Sequence, residues 1–378
     1  MRIVCADTLT LGKEAFATIG EVTLLPEADI DRAAVAGADA LIVRSKTKLN
    51  RDLLEGSGVR FAATATAGTD HVDTAWLAGA GIAFYAAAGC NAPSVGQYLS
   101  AALLHLAEKY DMDLVGKTLG IVGHGQVGRQ VEAKAQALGM QVLLNDPPLF
   151  DETGDGRYLH LKELVPACDV LTLHVPLTDA GPHPTRAMVS EEYLRLLKPG
   201  AFLVNTCRGE VVPPHGIAHT LRDGVLQGAV LDVWDPEPQV PSFLLDLVDV
   251  GTAHIAGHSF EGKFNGTRMC YEAACTFFGL AACLDAGPLA PVACAEPLTL
   301  TPGPAALAEA VRASYDILQD DHLLRESMAM DEAERVQGFK KLRTDYRLRR
   351  EFPAWTVQLN GTDPVLSDTL RSLGFQVP

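Results

Sequence analysis

The sequence predicts an α/β fold with two doubly wound parallel sheets and an appended C-terminal α+β region. Two observations carry this prediction. Short apolar runs alternate with amphipathic stretches through most of the 378 residues, as expected for parallel strands covered by helices. A glycine-rich loop directly follows one of these runs, at a position typical of a strand-to-helix turn in such a sheet.

The first ninety or so residues predict one parallel sheet. Strands buried on both faces are indicated by the apolar runs 3–6, 40–43 and 61–64. Helices are indicated by the amphipathic stretches 31–36 and 50–54. The first strand lacks the glycine fingerprint that marks the next part of the chain.

A long helix after Pro93 is predicted to lead into a second sheet. Apolar residues recur at helical spacing at Val95, Tyr98, Ala102 and Leu106. Further apolar runs and the glycine loop between the first two of them indicate a doubly wound arrangement. The predicted strands of this sheet are 118–122, 141–144, 170–175, 201–205 and 228–232.

The composition of the chain changes past about Gly287, where prolines become frequent. Helices are predicted near 304–319 and 332–341. The basic segment 340–350 and a strand-like run at 355–359 follow. We expect this region to form a third, appended domain.

Charge and composition exclude several classes of protein. The formal net charge of −16 argues against general binding to nucleic acid or to anionic membranes. The eight cysteines contain no Cys-x-x-Cys pair, which favours free thiols in a reducing compartment. The N-terminal segment carries no signal-peptide pattern, and no apolar run reaches the roughly 18 residues of a membrane span. A cytoplasmic protein is therefore expected.

The glycine loop predicts an NAD site. Gly123 permits a tight turn, Gly125 lets the backbone approach a pyrophosphate, and Gly128 allows close contact between helix and strand. Asp146 ends the next predicted strand, where a carboxylate accepts hydrogen bonds from ribose hydroxyls and repels a 2′-phosphate. This favours NAD over NADP. The alternative is an ordinary turn followed by a surface aspartate.

Three residues that follow predicted strands supply the groups needed to oxidise a hydroxy acid. Arg208 can bind a substrate carboxylate, His254 can accept the hydroxyl proton, and Glu237 can hold the histidine. Each has a structural alternative: a surface arginine that neutralises Glu210, a histidine without a chemical role, and a solvated loop acid. The combination of all three favours catalysis.

The other histidines carry weaker signals. His174 is a candidate for lining the cofactor pocket. Most of the others are interpreted as structural, and no set of histidines has the spacing of metal ligands, so no metal site is predicted. The structural set is His71, His105, His160, His183, His215, His219 and His322.

Together these motifs resemble the D-2-hydroxyacid dehydrogenase family over roughly residues 1–285. The motifs that carry the resemblance are the glycine loop with Asp146, and the segments 205–209, 232–238 and 254–257. The resemblance implies an NAD-dependent enzyme with a split chain and a homodimer formed through the C-terminal domain. The implied domains are a substrate-binding domain (1–93 and 265–286), an NAD-binding Rossmann domain (94–264) and a dimerisation domain (287–378).

The resemblance also implies the role of individual residues. Catalysis falls to Arg208, Glu237 and His254, and Asp232 is placed at the nicotinamide amide. The implied NAD contacts are Gly123, Gly125, Gln126, Val127, Gly128, Asp146, Val175, Thr206, Cys207, Arg208, Asp232 and Gly257. The implied substrate contacts are Arg44, Ser45, Thr66 and His258.

Within the family, segments 43–47, 64–71, 257–263 and 349–352 are most similar to a subfamily that oxidises a phosphorylated 2-hydroxy acid. Arg44, Ser45 and Lys46 suit the phosphate of such a substrate. The chain departs from the subfamily at two positions. His258 stands where a tyrosine is usual, and Ala253 stands where a proline commonly precedes the catalytic histidine.

Two other functions stay open on the sequence. One is oxidation of a different acid, such as 3-phosphoglycerate, glyoxylate or D-lactate, and the other is an NAD-sensing corepressor without catalytic activity. A further hypothesis concerns the basic segment 340–350, which would reach the partner's active site and supply positive charge through Arg347 or Arg349. The alternative is a solvated or interfacial basic face.

Overall fold

A computed structural model of the chain describes residues 1–284 and 296–378. These residues form two compact units, one of Met1–Ala92 with 258–284 and one of Pro93–Gly257 with 296–378. Parallel sheets covered by helices build both units, so the predicted α/β class is confirmed. The predicted boundary near Gly287 lies outside the described residues.

The strands and helices are numbered in chain order. The strands are β1 (Arg2–Ala6), β2 (Glu21–Leu25), β3 (Ala40–Val43), β4 (Phe61–Thr64), β5 (Ala83–Ala86), β6 (Thr118–Val122), β7 (Gln141–Asn145), β8 (Val170–Leu173), β9 (Ala201–Asn205), β10 (Leu226–Leu231), β11 (Val250–Gly251), β12 (Leu298–Leu300) and β13 (Val357–Leu359). The helices are α1 (Gly12–Phe16), α2 (Arg32–Val35), α3 (Arg51–Leu54), α4 (Thr74–Gly79), α5 (Ala92–Lys109), α6 (Gln126–Ala137), α7 (Pro147–Thr153), α8 (Leu161–Leu164), α9 (Glu191–Leu194), α10 (Pro214–Arg222), α11 (Ser242–Leu245), α12 (Phe260–Phe278), α13 (Ala306–Ser314), α14 (Ile317–Met328), α15 (Glu332–Thr344) and α16 (Pro364–Leu373).

The first unit is built on a five-stranded parallel sheet of order β2-β1-β3-β4-β5. Strands β3 and β4 are buried along their whole length, because helices cover both faces of the sheet. Helix α12 returns to this unit and packs its Tyr271 edge-on against Phe16 of α1, with ring centroids 5.8 Å apart. Val43 pairs with Thr64, so the loops after β3 and β4 begin side by side.

The second unit is built on a six-stranded parallel sheet of order β11-β10-β9-β8-β6-β7. The chain enters at β6, adds β7 on one side, and then crosses to add β8 and the later strands on the other side. This reversal creates a switch point at the carboxyl end of β6, where doubly wound sheets bind their ligands.

The C-terminal segment packs into the second unit. Leu324 and Met328 of α14 and Phe339 of α15 are buried in the same apolar cluster as Trp234 and Ala253. The described residues of this segment belong to the same compact unit as 93–257. The third, appended domain expected from the change in composition stays a prediction. Prolines mark loops, and they carry no information about which apolar surface the following helices cover.

The described residues show the state of the cysteines and whether any helix could span a membrane. Cysteines 5, 90, 168, 207, 270 and 275 are buried free thiols, whereas Cys283 is exposed and Cys294 lies outside the description. Across 1–284 and 296–378, no helix has both the length and the apolar character to cross a membrane.

Candidate active site

The second unit presents its predicted ligand contacts along one edge of the six-stranded sheet. The strands are parallel, so their carboxyl ends lie at the same edge. After each strand, one predicted contact or catalytic residue lies within three residues of the strand end. In strand order from β6 to β11 these are Gly123, Asp146, Val175, Thr206, Asp232 and His254.

The glycine loop leaves open space in front of α6. Gly123 has a φ of 92°, and a Cβ there would lie 2.6 Å from a carbonyl oxygen beyond β8. A Cβ on Gly128 would overlap the carbonyl oxygen of Gly123. By contrast, a Cβ on Gly125, the N-cap of α6, would meet no atom within 4 Å. The backbone N–H groups of Gln126 and Val127 begin the helix behind this space, so the loop fits a pyrophosphate.

Asp146 is held in place by two backbone donors. Its Oδ2 accepts a hydrogen bond from the N–H of His124 at 2.8 Å, and its Oδ1 accepts one from Leu149 at 3.1 Å, which caps α7. Each carboxylate oxygen has a second lone pair for a ribose hydroxyl. The buried His124 ring is itself held by Glu132 at 2.7 Å and Tyr158 at 3.1 Å. Its place inside the loop was the only signal for this residue in the sequence.

The turn after β9 is organised by the Asn205 side chain. Its Oδ1 accepts a hydrogen bond from the N–H of Cys207 at 3.1 Å, and its Nδ2 donates to the carbonyl of Arg208 at 3.0 Å. The Arg208 Nη1 donates to the Cys207 carbonyl at 2.7 Å. Burial raises the pKa of the Cys207 thiol to about 11, so the sulfur stays protonated. The turn therefore presents Arg208 from a fixed backbone, with Cys207 as an inert part of it.

His174 lies beside this turn and is neutral. Burial lowers the pKa of its imidazole to about 3. Its Nδ1 is 3.3 Å from the hydroxyl of Thr206, and its Nε2 is 3.0 Å from the hydroxyl of Thr172. A neutral ring adds no positive charge that would repel the cationic nicotinamide expected at this edge of the sheet. Val175, the next residue, is half-buried.

Gly209 brings the Arg208 turn against the loop that carries Glu237. A Cβ on Gly209 would overlap the carbonyl group of Trp234 and lie 2.6 Å from the backbone nitrogen of Asp235. The two loops therefore touch through their backbones. Only glycine allows this approach, which places Arg208 and Glu237 on adjoining loops.

Glu237 and His254 form a hydrogen-bonded pair. The Nδ1 of His254 donates to Oε2 of Glu237 at 2.9 Å, and Oε1 accepts from the N–H of Trp234 at 3.1 Å. Burial alone would raise the pKa of the Glu237 carboxyl, but the charge of His254, its hydrogen bond and the charge of Arg343 together lower it. The peptide bonds Asp235–Pro236 and Glu237–Pro238 are both cis.

The backbone at His254 is in a strained conformation that neighbouring hydrogen bonds hold. Its φ is 56°, in the left-handed region that a residue with a side chain rarely adopts. The carboxylate of Asp232 accepts hydrogen bonds from the N–H groups of Ile255 at 2.8 Å and Ala256 at 2.9 Å. The Thr252 hydroxyl donates to the same carboxylate at 2.6 Å. Asp232, predicted as a nicotinamide contact, thus also fixes the loop of the histidine.

The predicted substrate contacts lie in the first unit. Arg44 and the exposed Ser45 follow β3, and the half-buried Thr66 follows the neighbouring strand β4. The Thr66 hydroxyl is 2.8 Å from that of Thr64 and donates to the carbonyl of Gly68 at 3.1 Å. The half-buried His258 stands directly before Ser259, the N-cap of α12.

Lys263, to which the sequence reasoning assigned no role, is a further candidate in the first unit. Burial and the positive charge of Arg44 lower the pKa of its ammonium group to about 8. Three residues further along α12, a Cβ on Gly266 would lie 2.6 Å from the carbonyl oxygen of Ala65, so this face of the helix touches the end of β4. Lys263 and Arg44 therefore bring two cations together near the ends of β3 and β4.

The site residues fit NAD, because the open cradle at Gly125 and the oriented carboxylate of Asp146 match its pyrophosphate and ribose. We searched the described parts of the chain for clusters of metal-ligating side chains and found none.

The two arginines named in the hypothesis on the basic segment 340–350 make contacts within their own chain. Arg349 is 3% exposed and donates to acceptors of its own chain, and Arg347 forms an ion pair with Asp320 at 2.7 Å. Both guanidinium groups are engaged within one protomer. That they also supply charge to a partner's active site stays a prediction. A run of basic residues in the sequence does not report which of its side chains are buried, because burial depends on tertiary contacts.

The contact of Gly209 with the Trp234 backbone yields a prediction. Gly209→Ala should lower kcat by about 100-fold, because the added methyl forces the Arg208 turn away from the Glu237 loop. It should also destabilise the fold by about 1–3 kcal/mol. Steady-state kinetics and urea unfolding measure both effects. Gly156→Ala is the control, since a Cβ at Gly156 meets no atom within 4 Å. Wild-type kinetics in Gly209→Ala would contradict the prediction.

Comparison with known proteins gives the same family as the fold and the site residues indicate. The family model described as the NAD-binding domain of D-isomer specific 2-hydroxyacid dehydrogenases matches residues 100–256, and a domain of unknown function matches 288–374. The crystal structure of the TT0316 protein from Thermus thermophilus is 28% identical with a TM-score of 0.63, covering 75% of this chain and 98% of that one. D-lactate dehydrogenase from Aquifex aeolicus, complexed with NAD and lactic acid, shares the fold at 22% identity and a TM-score of 0.55, covering 73% and 95%.

Full-length relatives narrow the family. Erythronate-4-phosphate dehydrogenase of Pectobacterium carotovorum subsp. carotovorum (strain PC1) is 43% identical, covering 99% of this chain and 98% of that protein. The enzyme of the same name from Escherichia coli (strain K12) is 42% identical with the same coverage. These matches confirm the resemblance inferred from the motifs. The chain belongs to the erythronate-4-phosphate dehydrogenase family, within the D-2-hydroxyacid dehydrogenases.

Proposed function

We propose that the protein oxidises 4-phospho-D-erythronate to (R)-3-hydroxy-2-oxo-4-phosphooxybutanoate with NAD, in the cytoplasm, as a step of pyridoxal 5′-phosphate biosynthesis. The observation that carries the proposal is the hydrogen-bonded pair of Glu237 and His254 in a chain whose full-length relatives bear the name of that enzyme. The pair supplies the base that oxidation of a hydroxyl requires.

The reaction separates a hydride and a proton from the substrate. NAD, held by the glycine loop and Asp146, would supply the acceptor for the hydride of C2. Arg208 binds the adjacent carboxylate through charge-assisted hydrogen bonds. Because Nδ1–H of His254 donates to Glu237, Nε2 carries the lone pair that accepts the hydroxyl proton. Glu237 then stabilises the imidazolium that results.

The phosphate of the substrate is proposed to bind to the cations of the first unit. Lys263 experiences the positive charge of Arg44, and this repulsion is relieved when an anion binds beside both groups. Ser45 and Thr66 follow the neighbouring strands β3 and β4 and offer hydroxyl donors. This set extends the segment 44–46, chosen from the sequence, by a lysine from α12.

A homodimer formed through the C-terminal segment is part of the proposal. Five large apolar side chains of this segment are between 36% and 77% exposed, namely Leu318, Leu323, Met330, Leu348 and Val365. Leu323 and Met330 line one pocket, and such a shared apolar surface supports a protein interface. Sedimentation equilibrium should give a dimer, and Leu348→Glu should weaken it. A monomer at micromolar concentration would contradict this part of the proposal.

The function is tested by NADH formation with three acids in parallel: 4-phospho-D-erythronate, 3-phosphoglycerate and D-lactate. The first should give the highest kcat/KM, because the full-length relatives bear the name of the enzyme that acts on that acid. D-lactate has no phosphate and leaves the Arg44–Lys263 pair without an anion. Turnover of either other acid without turnover of the first would identify a sister enzyme. NAD binding without turnover of any acid would support the corepressor instead.

Removing the charge of Glu237 should slow the chemical step. Glu237→Gln keeps the shape of the side chain but cannot stabilise the imidazolium, so kcat should fall by about 100-fold or more. The KM for NAD should change little, and Glu334→Gln on the exposed face of α15 serves as the control. Retention of full kcat in Glu237→Gln would rule out the proposed role.

Lys263 predicts a pH dependence of substrate binding. Its lowered pKa of about 8 means that the charged form prevails below pH 8 and is lost as the pH rises through 8. The KM for the phosphorylated substrate should therefore increase above pH 8. Lys263→Arg stays charged and should keep a flat KM from pH 7 to 9.5, whereas Lys263→Met should raise KM by about 10- to 100-fold.

The matched substrate for this test is D-erythronate, which lacks the phosphate. Its KM should be the same in wild type and Lys263→Met. An equal change of KM for both acids would show that Lys263 acts on something other than the phosphate.

A further inference from the structure

Arg349 links the C-terminal segment to the loop of the catalytic histidine. Its guanidinium group donates to Gln97 Oε1 at 2.9 Å, to the carbonyl of Ser94 at 2.6 Å and to the carbonyl of Ala256 at 3.2 Å. It also lies over the ring of Tyr315, 3.7 Å from the centroid. The Arg349 side chain is 3% exposed, so these contacts are made in the interior of the protein and not at its surface.

The contact with Ala256 completes the hold on the loop of His254. The N–H of Ala256 donates to Asp232, and its carbonyl accepts from Arg349. Both polar groups of this residue are therefore engaged, two positions after a histidine with a φ of 56°. A residue with a side chain is strained in the left-handed region and persists there only where neighbouring contacts hold it.

The other two contacts of Arg349 reach the start of α5. They belong to a closed series of hydrogen bonds, called the circuit below. Gln97 also donates from Nε2 to the carbonyl of Arg350 at 3.1 Å. The next residue, Tyr98, has its hydroxyl 2.7 Å from that of Thr252, which in turn donates to Asp232. The same carboxylate holds the loop, so the circuit runs from Arg349 through α5 and Asp232 back to Ala256.

The geometry favours arginine over any other cation at this position. Three acceptors on two separate segments are reached by one planar group, with one bond each from Nε, Nη1 and Nη2. A lysine ammonium at the same place is a single point and cannot span all three. Loss of the guanidinium leaves the buried carbonyl of Ala256 without this donor.

We propose that Arg349 is a positioning residue for hydride transfer: by holding the Ala256 carbonyl it keeps His254 in the orientation in which its Nε2 meets the substrate hydroxyl. The inference rests on the role of His254 in the proposed function. It gives the C-terminal segment a part in the reaction of its own protomer, in addition to any role in assembly.

The test compares Arg349→Lys with Arg347→Lys in the full-length enzyme. Both variants keep the positive charge and alter neighbouring arginines, but Arg347 bonds to Asp320 and the Asp316 carbonyl rather than to the loop. Arg349→Lys should lower kcat per NADH-binding site by about 10- to 100-fold, with the KM for NAD within about twofold of wild type. Arg347→Lys should keep kcat within about twofold.

A kinetic isotope effect separates positioning from a general loss of folded enzyme. With substrate deuterated at C2, the isotope effect on kcat/KM should increase in Arg349→Lys, because the chemical step becomes slower than the steps around it. Unfolding of a fraction of the molecules would leave the isotope effect unchanged. Equal losses of kcat in both lysine variants with an unchanged isotope effect would overturn the proposal.

A readout without substrate keeps this inference separate from the proposed function. Amide hydrogen exchange of a peptide covering 252–257 should be at least about tenfold faster in Arg349→Lys than in wild type or Arg347→Lys. Wild-type exchange and wild-type kcat in Arg349→Lys would overturn the proposal. An inactive wild type with the expected exchange result would refute only the proposed function.

A second variant covers failure of Arg349→Lys to fold. Gln97→Met leaves Arg349 in place and removes one acceptor and one donor of the circuit. It should lower kcat by about threefold or more and speed exchange of the same peptide. Wild-type values of both quantities in a folded Gln97→Met would then overturn the proposal.

Discussion

A buried carboxylate must be met by hydrogen-bond donors, and in this protein that requirement shapes the whole reactive edge of the second sheet. Asp232 is 1% exposed and stands directly after β10. Leaving such a group without donors would cost several kcal/mol. Its donors are the Thr252 hydroxyl and the N–H groups of Ile255 and Ala256. Because all three come from one loop, satisfying the carboxylate also fixes the backbone on both sides of His254.

The remaining catalytic groups are oriented by contacts that adjoin this loop. Trp234, two residues beyond Asp232, donates from its backbone to Glu237 and from its indole to the Thr252 carbonyl at 2.8 Å. Gly209 meets the backbone at Trp234 and so brings in the turn of Arg208. Because these contacts are made by the backbone, they leave the loops that carry the catalytic side chains little freedom to move. Such preorganisation matters because a shift of about 1 Å in a reacting group can cost about 100-fold in rate.

Much of this arrangement could be predicted from the sequence, because it depends on strand ends. Buried parallel strands are apolar along their length, and the residue after each strand must lie at one edge of the sheet. The ranges predicted for β6 and β9 match the structure, and α5 follows its predicted apolar spacing. The strand β2 was missed because it lies at the sheet edge and most of its residues are exposed or half-buried. The two-residue strand β11 is too short to form a pattern.

What could not be predicted depends on contacts between distant segments. The partners of Asp232 lie about twenty residues downstream, and the acceptors of Arg349 lie about 250 residues upstream or about ninety upstream. Contacts between residues so far apart produce no periodic pattern in the sequence. For the basic run that contains Arg349, the sequence left open a contact with a partner's active site or a solvated or interfacial basic face. Neither interpretation anticipated that this side chain is buried in its own chain, since charge alone does not report burial. Lys263 lies in a segment recognised by resemblance, but its pairing with Arg44 required the return of α12 to the first unit.

The late position of Arg349 in the chain affects the order in which the protein can be completed during synthesis. The loop of His254 leaves the ribosome about ninety residues before Arg349 does. At about 5–20 residues per second this interval is on the order of 5–20 s, during which Ala256 has no guanidinium to bind. The apolar cluster around Trp234 likewise waits for Phe339 of α15. A nascent chain therefore exposes part of its future core until α15 and Arg349 have been synthesised, and this interval is when we expect the chain to depend most on chaperones.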